Sequence, residues 1–163
     1  MSAMMIEKPV EPIKRFLEDI CFIVPAAGKG ERMGTAVSKQ YLALCGQPLI
    51  AHTLRRLLAL QPRQIVLVVA RDDSYWREIE GVEHCTVAVG GDTRAASVLA
   101  GLDSVAEAGW VMVHDAARPC VRAADILRLY DTVSHSTTGG LLGVPVTDTV
   151  KSVRNSMVVA SPD

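Results

Sequence analysis

Six consecutive apolar residues, Ile65 to Ala70 (IVLVVA), leave few choices of fold. An uninterrupted, β-branched run of that length reads as a strand buried on both faces, and such strands belong to parallel sheets covered by helices. The rest of the chain keeps the same rhythm. Cys21 to Pro25 reads as a second buried strand, ending in a glycine-rich loop. Leu49 to Leu60 has apolar residues at helical spacing, and Asp73 to Ile79 suits a short helix. Thr86 to Val89 reads as a strand, Arg94 to Ala108 as an alanine-rich helix, and Trp110 to His114 as a strand. Ala123 to Ser134 follows as a helix with Ile126, Leu127 and Tyr130 on one side; Gly139 to Val144 and Thr149 to Val153 complete the apolar segments. Strand and helix in alternation imply an α/β fold, a Rossmann-like three-layer sandwich with a mostly parallel sheet. Right-handed crossovers then line up the loops that follow the strands along one edge, where open α/β sheets bind ligands.

With 163 residues, 49% hydrophobic and 21% charged, the chain has enough apolar material for one substantial core. Met1 to Ile20 carries many charges and two prolines and lacks the apolar centre of a signal peptide. It reads as an N-terminal extension (1–20) before a domain at 21–163, in a cytoplasmic protein. The net charge of −1 provides no basic field for nucleic acid, and no apolar run approaches the length of a membrane span. Any phosphate-binding charge is therefore local. Cys21, Cys45, Cys85 and Cys120 stand far apart, with no CxxC pair and no histidine at zinc-ligand spacing. Met157 to Ala160 opens a further apolar segment just before the chain ends, so the C-terminal part of the domain is expected to be missing.

The stretch Val24 to Gln40, VPAAGKGERMGTAVSKQ, carries the most chemical information. Ala26, Ala27, Gly28 and Gly30 are small enough for backbone N–H groups to approach a ligand closely and hold phosphate oxygens. Arg32 and Lys39 add mobile positive charge, so the loop combines fixed partial charges with full ones, as a polyphosphate requires. Gly28, Gly30 and Gly34 give GxGxxxG, one residue longer than the dinucleotide fingerprint, which counts against a nicotinamide-dependent dehydrogenase. No glycine is followed by Lys and then Ser or Thr, so there is no P-loop.

Two further motifs follow strands. In Gly90-Gly91-Asp92-Thr93-Arg94, Asp92 or Thr93 can cap the next helix. The functional reading is base recognition, with backbone groups at Gly91 and Asp92 and the Ser97 hydroxyl meeting the edge of a nucleobase. In His114-Asp115-Ala116-Ala117-Arg118-Pro119, Asp115 and Arg118 can form a loop ion pair, or Asp115 can hold Mg²⁺ next to phosphate. His114 reads as a packed strand residue. His52, His84 and His135 have no companions at ligand spacing. Pro145 to Lys151 reads as a polar turn.

PAAGKGERMG followed by SKQY resembles the signature loop of the sugar-phosphate nucleotidyltransferases. KQY, GGDTRAASV and HDAARP, in that order, narrow the resemblance to the methylerythritol phosphate cytidylyltransferases. It runs from about Cys21 to the chain's end, with Ser38 standing where the family often has proline. The resemblance implies transfer of CMP from CTP to 2-C-methyl-D-erythritol 4-phosphate with release of pyrophosphate and help from Mg²⁺. It also implies Arg32 and Lys39 as catalytic cations, and Ala26, Ala27, Gly28, Gly30, Gly91, Asp92 and Ser97 as nucleotide-binding residues that select cytosine. It gives Arg118 and Thr149 acceptor-binding roles and Asp115 the metal. Family members run well past this chain's end, carry further substrate-binding residues there, and dimerise through a projecting arm. A homodimer is thus expected of the full-length protein, with no nucleic-acid or membrane partner. The alternatives are a nucleotidyltransferase for another sugar or alcohol phosphate and a non-catalytic nucleotide-binding fragment.

Overall fold

Cys21, Phe22, Ile23 and Val24 are fully buried, and the strand they form is an inner strand of the main sheet. The computed structural model describes residues 18–28, 38–107, 109–149 and 151–160. Strand β1 (Ile20–Pro25) pairs in parallel with the strand Gln64–Val69 on one side and with Trp110–Val113 on the other. The strand Thr86–Val89 extends the sheet beyond Gln64–Val69. Counting the short hairpin strands Ala43–Leu44 (β2) and Gln47–Pro48 (β3), these are β4 (Gln64–Val69), β5 (Thr86–Val89) and β6 (Trp110–Val113). The order is β5-β4-β1-β6. The register sets Ile23 beside both Val66 and Val113. The two inner strands have paired neighbours on each side and are the unbroken apolar runs; β5 and β6 lie at the edges and are partly exposed.

Two helices link these strands. Helix α1 (Leu49–Leu58) buries Ile50, Leu54 and Leu57 at helical spacing. Helix α2 (Arg94–Asp103) approaches the sheet closely at Gly101, where a Cβ would meet the Ile23 and Val68 methyls at 2.5 and 3.1 Å. The walk along the sheet goes one way from β1 through α1 to β4, and the other way from β5 through α2 to β6. Right-handed crossovers taken in opposite directions put α1 and α2 on opposite faces, which gives the expected α/β layering. They also place the reversal between β1 and β6, and the ligand crevice of such sheets lies outside the strands' carboxyl ends at that point.

Three local expectations change, and one hairpin forms where no expectation was made. Helix α2 ends at Asp103 rather than Ala108, because Val105 leaves the helix to pack against the Ile23, Val66 and Val68 cluster. The helix expected over Asp73 to Ile79 is a 3-10 turn, Tyr75–Glu78. Asp73 explains this: its carboxylate accepts from the Tyr75 N–H and its carbonyl from the Trp76 indole, bonds that compete with a helical ladder. The β2–β3 hairpin turns through Cys45 and Gly46, both at positive φ, without the Asn-Gly signal that marks such turns. The third changed expectation lies at Gly139 to Val144.

Compactness divides the chain after Ala123. The second unit contains nearly all of helix α3 (Ala123–Val133), then an irregular exposed stretch that includes Gly139 to Val144. No strand pairs with that stretch among the described residues, and a lone strand leaves its N–H and C=O groups without partners. Of Thr149 to Val153, Ser152 and Val153 belong to β7 (Ser152–Arg154). This strand forms a hairpin with β8 (Met157–Ala160) across Asn155 and Ser156, both at positive φ.

Candidate functional site

The loops that follow β1, β5 and β6 hold most of the residues singled out by sequence. After β1, Ala26 is held on both sides. Its N–H donates to the Val68 carbonyl at 2.7 Å, and its own carbonyl accepts from the Gln40 side-chain amide at 2.6 Å. Ala26 thus shapes the loop and has no free N–H to offer a ligand. Gly28 differs. It is exposed, its φ lies outside the left-handed region, and among the described residues a Cβ there would meet nothing within 4 Å. Folding does not require glycine at this position, so the absent side chain leaves room for something to approach the backbone. Gly30 and Arg32 lie outside the described residues.

Lys39 and Gln40 open the 3-10 turn Lys39–Tyr41. Ser38, just before it, has φ −59°, close to the angle proline enforces. Tyr41 anchors the turn from the other side, its hydroxyl donating to Asp73 Oδ2 at 2.6 Å and its ring lying 5.6 Å from that of Tyr75. Between these two anchors, Lys39 is exposed and makes no hydrogen bond or ion pair among the described residues.

After β5, Thr93 rather than Asp92 caps helix α2, accepting from the Ala96 N–H at 3.0 Å. Asp92 is exposed and unpaired among the described residues. The glycines here are required by packing. A Cβ on Gly90 would stand 2.6 Å from Ser97 Oγ and 2.8 Å from the Ala27 Cβ, and one on Gly91 would stand 2.7 Å from the Ala96 Cβ. Gly90 therefore lets the first and second motif loops touch. Ser97 is buried, with its hydroxyl within reach of the Thr93 carbonyl (3.0 Å) and the Gly91 carbonyl (3.3 Å). Its single proton goes to one of these, which braces the loop and leaves only lone pairs for a ligand.

After β6, Asp115 is the electrostatic centre. Its Oδ1 accepts from Arg94 Nη2 at 3.0 Å and its Oδ2 pairs with Arg118 Nε at 2.8 Å. The ion pair weighed against metal binding is therefore present, and doubled. Burial alone would push this carboxyl up. The Arg94 hydrogen bond and charge, then the charges of Arg118 and Lys39, outweigh burial and hold it below the usual carboxylate range. Arg94 had no role in the sequence reading. A cation in the first turn of a helix opposes the helix dipole by about 0.3–1 kcal/mol, and that misfit was the available signal. The Arg94–Asp115 bond ties the segment after β5 to the loop after β6, although these two strands lie at opposite edges of the sheet.

Two further contacts fix this loop. Thr53 of α1, fully buried, donates to the Ala116 carbonyl at 2.8 Å, and His114 Nε2 lies 3.0 Å from the Arg118 carbonyl. His114 is thus a loop brace. Among the described residues no three His, Cys, Asp or Glu side chains converge as a metal cage. A single carboxylate still suits Mg²⁺ when substrate phosphates and water supply the other ligands, and each Asp115 oxygen keeps a lone pair beyond its arginine bond. The residues present fit an ion that arrives with its nucleotide. Thr149 belongs to the second unit and is exposed.

The family model for 2-C-methyl-D-erythritol 4-phosphate cytidylyltransferase matches residues 20–163. The chain belongs to this family. It is 46% identical over 139 residues to the 2-C-methyl-D-erythritol 4-phosphate cytidylyltransferase of Citrobacter koseri, covering 83% of this chain and 60% of that one. Against an Escherichia coli relative of the same name, identity is 46% over 137 residues, with 82% and 58% covered. Among solved structures, a 4-diphosphocytidyl-2C-methyl-D-erythritol synthase is similar with TM-score 0.74 and 27% identity, covering 90% of this chain and 68% of its own. The Francisella tularensis 2-C-methyl-D-erythritol 4-phosphate cytidylyltransferase gives 0.70 and 31%, with 89% and 66% covered. The chain spans about 60% of the length of the curated relatives it matches. No helix among the described residues is long and apolar enough to cross a membrane.

Proposed function

We propose that this chain carries the nucleotide-binding and transfer site of a cytidylyltransferase that moves CMP from CTP to 2-C-methyl-D-erythritol 4-phosphate, releasing pyrophosphate, in non-mevalonate isoprenoid precursor synthesis. One observation carries the reading: Asp115 feels three cations, each from a different motif, Arg94 after β5, Arg118 in its own loop and Lys39 beyond β1. That concentration of positive charge, beside the open backbone at Gly28, suits a triphosphate in a chain whose net charge is only −1.

In this reaction a phosphate oxygen of the acceptor donates a lone pair to the α-phosphorus of CTP. The bond from that phosphorus to the bridging oxygen breaks, and its electrons leave with pyrophosphate. The nucleophile is already an anion near neutral pH, so no general base is needed. The protein's work is alignment and charge stabilisation. Lys39, with Arg32, meets the charge that builds on the phosphoryl oxygens. Gly28 and Gly30 admit the triphosphate to the backbone. Gly91 and Asp92 meet the cytosine edge, with Ser97 and Ala27 supporting them. The family resemblance assigns acceptor contacts to Arg118 and to Thr149. Mg²⁺ bound at Asp115 together with the phosphates would supply divalent counter-charge against the repulsion between the two anionic reactants. The enzyme is cytoplasmic and, at the full length of its family, a homodimer.

Pyrophosphate release from CTP, with 2-C-methyl-D-erythritol 4-phosphate compared against other sugar and alcohol phosphates, tests both the reaction and the acceptor. Lys39→Ala removes about 3 kcal/mol of transition-state stabilisation, close to a hundredfold in turnover. Its unfolding midpoint should stay within a degree or two of the parent's, because the exposed ammonium makes no hydrogen bond or ion pair among the described residues and acts on Asp115 only through its charge. Equal turnover in the two proteins would remove Lys39 from the mechanism. The same assay separates the alternative, a nucleotide-binding unit without catalysis. It predicts thermal stabilisation by CTP and no pyrophosphate with any acceptor.

A further inference from the structure

We infer that Gln40 is a positioning residue of the nucleotide site, setting the direction in which the backbone amides beyond β1 are presented. The inference rests on the proposed CTP-binding reading and adds a residue to it.

Gln40 is 3% exposed, a rare burial for a primary amide. Its Nε2 donates to the Ala26 carbonyl at 2.6 Å and also faces the Gly28 carbonyl at 3.4 Å, across twelve to fourteen residues of chain. Two carbonyl oxygens can be satisfied only by the NH₂ end of the side chain, which fixes its orientation. The bonds therefore link the turn that carries Lys39 to the loop that carries Gly28.

The consequence for the ligand follows from peptide geometry. No peptide bond here is cis, and in a trans, planar peptide the N–H points opposite to the C=O. Turning the Ala26 carbonyl inward onto Gln40 turns the Ala27 N–H outward. Beside it lies Gly28, where no described residue fills the space its side chain would take. A donor at this point is what an anionic or carbonyl-bearing ligand needs, and a peptide free to rotate would present its carbonyl there as readily. The Gln40 amide makes the outward N–H the resting arrangement. It lowers the reorganisation required when the ligand binds.

The other flank of the same turn separates positioning from plain stability. Tyr41 also anchors Lys39–Tyr41, through its hydroxyl bond to Asp73, but touches neither Ala26 nor Gly28 in any described contact. Gln40→Leu removes the donor. Gln40→Glu keeps the shape and puts an oxygen against two carbonyl oxygens. Tyr41→Phe removes one hydrogen bond from the same turn and serves as the stability control.

The test is calorimetric titration of the 163-residue chain with CTP in the presence of Mg²⁺, alongside thermal unfolding and amide exchange at Ala27 without ligand. The expected result is a CTP Kd raised at least tenfold in Gln40→Leu and Gln40→Glu, with slower exchange at Ala27, whose N–H no longer rests facing outward. Tyr41→Phe should lower the unfolding midpoint yet leave Kd within threefold of the parent. If Gln40→Leu does not fold, the isosteric Gln40→Glu decides. Gln40 variants that bind CTP within threefold of the parent, or a Tyr41→Phe that weakens binding as much as they do, overturn the role of Gln40 and leave the proposed function standing. A parent chain that does not bind CTP overturns the proposed function, and this inference with it.

Discussion

Gly28 and Gly90 offer one chemical change with two opposite outcomes. Among the described residues, adding a methyl at Gly28 meets nothing within 4 Å, and φ there lies outside the region that disfavours L-residues. Gly28→Ala should leave stability unchanged or raise it by about 0.4–1 kcal/mol, through the lost freedom of the unfolded chain. For a protein of this size that is a midpoint higher by roughly 1–4 °C. The same methyl at Gly90 stands 2.6 Å from Ser97 Oγ and 2.8 Å from the Ala27 Cβ, both in contacts the fold has closed. Overpacking of this kind costs about 1–3 kcal/mol, a midpoint lower by roughly 2–12 °C. Adding Ser97→Gly to Gly90→Ala relieves the contacts with Ser97 but not that with Ala27, so recovery should be partial. Differential scanning calorimetry gives the stabilities, and titration with CTP gives affinities. Gly28→Ala should lose at least tenfold in affinity, about 1.4 kcal/mol, because its methyl occupies the space left for the ligand. A Gly28→Ala protein that binds CTP like the parent would refute the reading of that space as a ligand approach. One that is destabilised as much as Gly90→Ala would refute the reading of Gly28 as unneeded by the fold.

The remaining expectations concern the third motif and the thiols. Thr53→Val keeps the volume but strips the donor from the Ala116 carbonyl; urea denaturation should show a loss of about 1–3 kcal/mol, and a loss below about 0.5 would show that the bond to the motif loop matters little. Asp115→Asn should lower stability at neutral pH by about 1 kcal/mol or less, since both ion pairs are largely exposed. The folded carboxyl sits below its unfolded value, so its contribution is present above about pH 4 and is lost as pH falls through the folded value. Denaturation curves of parent and variant should therefore converge in acid, and a gap that persists there would contradict the charge assignment. Alkylation at pH 8 followed by mass spectrometry should label exposed Cys45 and Cys120 first. Burial, aided by Glu83, pushes the Cys85 thiol up to about 11, and burial raises Cys21 despite Arg63, so early labelling of either would contradict the packing.

Much of the site was legible because its motifs are contiguous. Gly28, Gly91, Asp115 and Arg118 each sit shortly after a strand whose apolar run announces it, Lys39 stands at the far end of the loop that follows β1, and chain order puts those loops on one edge. The parts that escaped notice depend on residues distant in sequence. Gln40 stands in the sequence only as part of KQY and Arg94 only as part of GGDTR; their bonds to Ala26 and Asp115 exist only in the fold. Thr53 gave no sign that it supports a loop 63 residues away.

The sequence alone determined the parallel sheet, the helices between its strands, and the family. Apolar periodicity, glycine spacing and three ordered motifs are local properties that need no partner. Only the tertiary structure decided what each polar group faces. It gave Ser97 and Ala26 to the loop's own bonds, left the Lys39 ammonium and the space beside Gly28 open, and gathered three cations around one carboxylate. A hydrogen bond or an ion pair is a relation between two groups at about 3 Å, and distance along a chain does not encode distance in space.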